Sequence, residues 1–216
     1  MKAFLLGLFF STALATPGVA ALKIGDTAPD FRATASLGGK EFVFHLYDAL
    51  KKGPAVIYFY PSAYTQGCDL EAHTFAENAG KFAAAGTSII GVSGDNPIRL
   101  HQFASDPNFC AGKFPIAADE ELKIAGKFQL ATVKALAGIK DVRGADIHHG
   151  LIERATFVVG RDHKIVAVLS SRNDTSQKIN QKIAQGKAGS TDDALTPDQH
   201  VFKSLEIARQ LRTRPK

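Results

Sequence analysis

From Ala55 to Tyr60 the chain is apolar without interruption and rich in β-branched and aromatic residues, which predicts a strand over 55–60 buried on both faces. Pro61 ends it, because proline cannot donate to a ladder. Beyond a short stretch of small and polar residues, Ala72, Phe75, Ala76, Ala79, Phe82 and Ala83 recur at helical spacing, so a helix over 68–84 turns one stripe to a core. A second apolar run predicts a strand over 87–92. A helix over 96–106 follows, with Asp95 or Asn96 as its cap and Pro97 at the first helical position. Late in the chain Phe157–Val159 and Ile165–Leu169 flank the polar Gly160-Arg161-Asp162-His163, a pattern that predicts an antiparallel hairpin. Strands alternating with helices indicate an α/β fold, here parallel β-α-β units with the hairpin appended.

The two ends read differently. Lys2 precedes an apolar stretch from Ala3 to Leu14, and small residues run on to Ala20 or Ala21, so residues 1–21 are expected to be a secretory signal peptide. A membrane anchor is the competing reading, but the apolar stretch is shorter than the ~18 residues of a span and Thr16-Pro17-Gly18 follows it. Cleavage before Leu22 or before Ala21 satisfies the small-x-small rule. Export to the periplasm or the extracellular space follows from this reading, and a mature form free of the membrane. The remaining chain, 22–216, has no repeat or Pro/Gly-rich linker and reads as a single domain. Within it, 171–197 is a polar loop or insertion, for which a short helix near Lys178 to Gln185 and disorder are both open. The formal net charge of +5 falls to +4 once Lys2 is removed, and much of the basic excess sits near the C-terminus. No aromatic interleaving or binding motif accompanies it, so nothing points to nucleic acid.

Chemistry concentrates at Pro61-Ser62-Ala63-Tyr64-Thr65-Gln66-Gly67-Cys68, which places one cysteine in the first turn of the predicted helix. A free thiol titrates near ~8.5, and a helix N-terminus with a nearby cation lowers that value to roughly 3.5–7.5, so Cys68 is expected to be an activated nucleophile. Thr65 can turn a hydroxyl toward the sulfur, donating to one oxygen atom and accepting from another, which suits a peroxide. The plainer alternative, Cys68 as a small buried hydrophobe, gives Pro61 and Thr65 no role.

The spacing Pro-x-x-x-Thr-x-x-Cys after a buried strand resembles the active-site motif of the peroxiredoxins. Gly25-Asp26-Thr27-Ala28-Pro29-Asp30-Phe31 resembles that family's opening segment, Glu71 matches its Cys-x-x-Glu continuation, and Glu153-Arg154-Ala155-Thr156-Phe157-Val158-Val159 resembles the strand that carries its active-site arginine. The resemblance implies a thioredoxin-like fold with a central mixed sheet flanked by helices. It also implies a thiol peroxidase without metal or organic cofactor, reset by a dithiol reductant (a thioredoxin-like protein or a small thiol) and existing as a monomer or weak dimer. By the same match Arg154 is the cation, Pro61 shields the sulfur, Thr65 positions the peroxide and Glu71 orients Arg154. The segment Ser105 to Pro115 resembles that of the bacterioferritin-comigratory (PrxQ-type) subgroup, whose resolving cysteine lies on the second helix. This implies Cys110 as resolving thiol, with local unwinding around both cysteines. A static Cys68–Cys110 bridge, a one-cysteine enzyme and a peroxide sensor are the competing readings.

Departures from the pattern also inform. His73 occupies the position five residues after Cys68 where many relatives place the resolving thiol, and Gln66 stands where proline is common. Thr65 in place of a cysteine rules out Cys-x-x-Cys exchange, and Ala72 removes a second thiolate ligand for copper. The adjacent His148 and His149 should point apart on an extended segment, and His73 and His101 are expected to be exposed polar positions. Tyr60 and Tyr64, flanking the bend, are candidates to line the pocket.

Overall fold

The structure, a computed structural model, describes residues 22–170 and 195–213. The expected signal peptide and the helix considered near Lys178 to Gln185 lie outside the described residues. Among these residues one seven-stranded mixed sheet dominates, in the order β2 (Lys40–His45), β1 (Arg32–Leu37), β5 (Ile116–Ala118), β4 (Ser88–Ser93), β3 (Ala55–Phe59), β8 (Ala155–Val159) and β9 (Ile165–Ser170). β3, β4 and β5 run parallel, and the other neighbours pair antiparallel. A short separate ladder joins β6 (Thr132–Lys134) to β7 (Gly150–Ile152). The helices are α1 (Leu46–Lys52), α2 (Gln66–Ala84), α3 (Pro97–Ser105), α4 (Lys123–Lys127) and α5 (Pro197–Thr213). This is the thioredoxin-like arrangement expected.

The predicted central strand is fully buried along its length, and Tyr60 extends it by donating its N–H to the Val92 carbonyl at 3.2 Å. Successive side chains of β3 point to opposite faces. Val56 and Tyr58 join a core with α2, α3 and α5, while Ile57 and Phe59 join one with α1 and α4. Tyr58 lies opposite Gly91 on β4, where an added Cβ would fall 2.6 Å from the ring and from Ile116, so only glycine admits that ring across the sheet. The late hairpin forms as β8 and β9, and its turn places His163 at φ 66.

Two expectations need adjustment. In α2 the stripe holds at Ala72, Phe75 and Phe82, but Ala83 is exposed, and Thr74 and Asn78 are buried beside the stripe. Helix α3 stops at Ser105 because Asp106 precedes Pro107 and is held extended (φ −63, ψ 122). Cys110 therefore lies beyond the helix, in consecutive turns where Ala111 and Gly112 adopt φ 49 and 65. The periodicity does not announce β1 and β2. Edge strand β2 is mostly exposed, and its visible trace is the Gly38-Gly39 turn with φ 54 and 75.

Candidate active site

The bend from β3 into α2 builds the site. Thr65 caps α2 in extended conformation, so Gln66, Gly67 and Cys68 are its first three residues, and Cys68 lies in the first turn as expected. Gln66 takes the first helical position, exposed, which is why its replacement of a proline leaves the turn intact. The Thr65 hydroxyl donates to the Ser62 carbonyl at 2.8 Å. Pro61 is buried beneath the turn. Arg154 sits in the two-residue link between β7 and β8, just ahead of the strand expected to carry it. Its Nη2 donates to Cys68 Sγ at 3.2 Å, and its Nη1 is paired with Glu71 Oε2. Cys68, Glu71 and Arg154 are 1%, 0% and 2% exposed, so the whole assembly is shut away from water.

That closure changes the electrostatics expected from sequence. Burial pushes the Cys68 thiol up, and the pull of Arg154, the Thr65 side chain and the Ser62 backbone offsets this only in part. Burial likewise lifts Glu71 to about 7 against the attraction of Arg154. One guanidinium thus serves two potential anions. With Glu71 ionised the pair is neutral, and a thiolate beside it leaves a buried net negative charge. Proton occupancy on Glu71 and on Cys68 is therefore coupled.

Cys68 and Cys110 are both free thiols in one hydrophobic cluster. Cys110 is fully buried. Burial, followed by the Asp69 and Asp106 carboxylates, holds its thiol well above the ordinary range.

Asp95 is the residue whose role sequence reasoning missed. The sequence offers Asp95 or Asn96 as the α3 cap, and Asn96 caps the helix, accepting from the Arg99 N–H at 2.9 Å. Asp95 instead is a fully buried anchor for the active-site bend. It accepts from the Ala63 N–H (2.8 Å), the Ser62 hydroxyl (3.0 Å) and the Ser93 hydroxyl (2.8 Å), and pairs with Arg99 and His149 (both 2.7 Å). Arg99 also donates to the Ala63 carbonyl and pairs with Asp141. Val142 donates its N–H to the Tyr64 carbonyl at 2.9 Å, and the Arg143 guanidinium lies 3.2 Å from the Tyr64 ring centre, with Arg99 at 5.2 Å. Tyr64 is thereby fixed at φ 58, a left-handed conformation that tyrosine rarely adopts. Ser62, His149 and Asp95 do not form a hydrolytic triad, because Ser62 Oγ and His149 Nε2 converge on the same Asp95 oxygen.

The remaining candidates are placed plainly. His148 is exposed while His149 turns inward. His73 and His101 are exposed, and His73 Nδ1 bonds the Asn108 carbonyl at 3.0 Å. Tyr60 and Tyr64 are buried packing residues that do not front an open pocket. Behind the site His200 of α5 bonds Thr156 at 3.0 Å, with Nδ1 3.9 Å from Glu71 Oε1.

Residues 24–168 match the AhpC/TSA family. Peroxiredoxin Bcp of Escherichia coli K12 is 30% identical over 144 residues, which span 67% of this chain and 83% of that protein. The crystal structure of peroxidoxin BcpB from Mycobacterium tuberculosis aligns with a TM-score of 0.62 at 27% identity, over 90% of this chain and 99% of that one. Mycobacterium tuberculosis AhpC shares the fold, with a TM-score of 0.61 at 20% identity over 90% of this chain and 100% of its own. Sequence kinship that runs from the first strand to the last, joined to an arginine-held cysteine in the same sheet framework, makes this chain a member of the AhpC/TSA family, a peroxiredoxin and so a thiol peroxidase.

Proposed function

We propose that this peroxiredoxin is an exported, atypical two-cysteine enzyme that reduces hydrogen peroxide and small organic hydroperoxides, with Cys68 as nucleophile and Cys110 as resolving thiol. The observation that carries the reading is the 3.2 Å hydrogen bond from Arg154 to Cys68 Sγ, with Glu71 holding the other end of the guanidinium. The Cys68 thiolate attacks the terminal peroxide oxygen. The S–O bond forms as the O–O bond breaks, and the departing alkoxide or hydroxide takes a proton. Arg154 faces both the thiolate and the charge that develops on the leaving oxygen. Thr65 orients the peroxide, and Pro61 keeps water from the sulfur.

The resulting sulfenic acid condenses with Cys110 to a disulfide and water. A disulfide needs its Cα atoms within about 7 Å and its sulfurs near ~2.05 Å, so the two free thiols must approach each other and Cys68 must leave its place against Arg154. Cys110 already lies in irregular backbone and needs no helix to melt. A dithiol outside the cytoplasm, thioredoxin-like or a small thiol, then reduces the bond, and the enzyme acts as a monomer or weak dimer.

Peptide mapping under non-reducing conditions after one equivalent of peroxide tests this reading. The expected product is an intramolecular Cys68–Cys110 bond, with N-terminal sequencing of exported protein starting at Ala21 or Leu22. Only inter-chain bridges, or a free Cys110, would sink it. Burial of Cys110 favours the one-cysteine alternative, which predicts full dithiol-driven turnover in Cys110→Ser.

A further inference from the structure

We infer that Asp69 is the general base of the resolving step, taking the proton of the Cys110 thiol as the disulfide forms. This rests on Cys110 being the resolving thiol. Asp69 follows Cys68 on α2, and its Oδ1 is buried with no hydrogen-bond partner among the described residues. One turn further along the same helix face, His73 bonds the carbonyl of Asn108, so this face lies against the turns that carry Cys110. On its other flank the Tyr64 ring meets Phe109 edge-on at 5.4 Å. The residues that contact 108 and 109, His73 and Tyr64, stand on either side of Asp69 in the chain, and Cys110 comes next after 109.

The charges around Asp69 fit the task. After burial, the Asp69 carboxylate is the largest influence on the Cys110 thiol. Asp106 is the next influence on Cys110, but its Oδ1 accepts from the Asn108 backbone and side chain at 2.9 and 3.2 Å. Burial lifts Asp69 itself to about 7, opposed by the Tyr64 backbone, Arg143 and Arg99 and reinforced by Asp141. A carboxylate titrating near neutrality is a far better base than a solvated one, and still an acid able to return the proton. An unassisted Cys110 thiol supplies little thiolate.

The step balances without another reactant. Cys110 loses its proton to Asp69 and its sulfur attacks the sulfenic sulfur of Cys68. The S–S bond forms, the S–O bond breaks, the sulfenic sulfur is reduced and the Cys110 sulfur oxidised. The departing hydroxide regains the proton from Asp69 as water.

Single-turnover oxidation with one equivalent of peroxide tests the assignment, by following disulfide formation and dimedone-trapped sulfenic acid across pH. In the wild type, disulfide formation should rise through an inflection near about 7. Asp69→Asn should slow it roughly 100-fold and abolish the inflection, and Asp69→Glu should restore both in part. An Asp69→Asn protein with unchanged rate and pH profile overturns the assignment while leaving Cys110 as resolving thiol. A wild-type profile without the inflection also overturns it, whatever the variants' folding. Absence of the Cys68–Cys110 bond in the oxidised wild type defeats the Cys110 reading itself, and Asp69 with it.

Discussion

At the level of single residues, the site is a contest over one guanidinium. Arg154 donates to Cys68 and pairs with Glu71, all three out of water, so removing it strands a buried carboxylate and leaves the sulfur with no fixed cation. Arg154→Ala should lower the second-order rate with hydrogen peroxide by about 100-fold or more, the scale seen when one preorganised donor is deleted. Stopped-flow oxidation checks this, and equal rates would remove Arg154 from the chemistry. Cys68, Thr65 and Glu71 are legible in the chain because one short motif sets residue types at fixed spacing, and Arg154 only through the resemblance of its own segment, Glu153 to Val159. The direction of the Cys68 shift is not. It depends on how completely the surrounding elements seal the sulfur, and burial outweighs the cation and the helix end.

At the level of elements, the bend between β3 and α2 is held by Asp95 at the end of β4, Arg99 on α3 and the segment from Asp141 to His149. His149 presents Nε2 to Asp95 and Nδ1 to the Gly150 carbonyl, an arrangement that suits the imidazolium, which donates from both nitrogens. Burial works against that charge, but the hydrogen bond and charge of Asp95 prevail and its pKa lies above 6.5. A group with a raised folded pKa stabilises fully below its unfolded value, and its contribution fades as pH rises through the folded value. Thermal unfolding from about pH 6 to about pH 9 should therefore show declining stability in the wild type and a flatter profile in His149→Gln. Identical slopes would show that the pair does not anchor the bend. The main strands and helices were legible because they are long and periodic or wholly apolar. β6 and β7, three residues each, carry too little pattern to read, and the anchor joins residues 62, 95 and 149 that no local spacing relates.

For the whole molecule, the C-terminal helix completes the site from behind. α5 packs on α2, and His200 meets Thr156 beside Glu71 with its ring fully buried. Burial, then Arg154, pushes His200 down to about 3, so it is neutral in the fold. On acidification the unfolded chain binds a proton near 6.5 that the fold refuses, and stability is lost progressively from there down to about 3. His200→Gln should unfold at lower urea than wild type at neutral pH yet lose less between pH 6 and about 4, and parallel acid limbs would rule this coupling out. Nothing in the local pattern of the sequence links position 200 to position 71. The clamp on Tyr64, far from α5 in sequence, has a further consequence for endurance. A sulfenic acid that lingers beside Arg154 and meets a second peroxide passes to the irreversible sulfinic acid. In the proposed two-cysteine cycle it escapes by moving to Cys110, and the bend that holds it is tied to a left-handed tyrosine gripped by two arginines. On that proposal, a tighter grip on the bend leaves fewer cycles before the enzyme wears out.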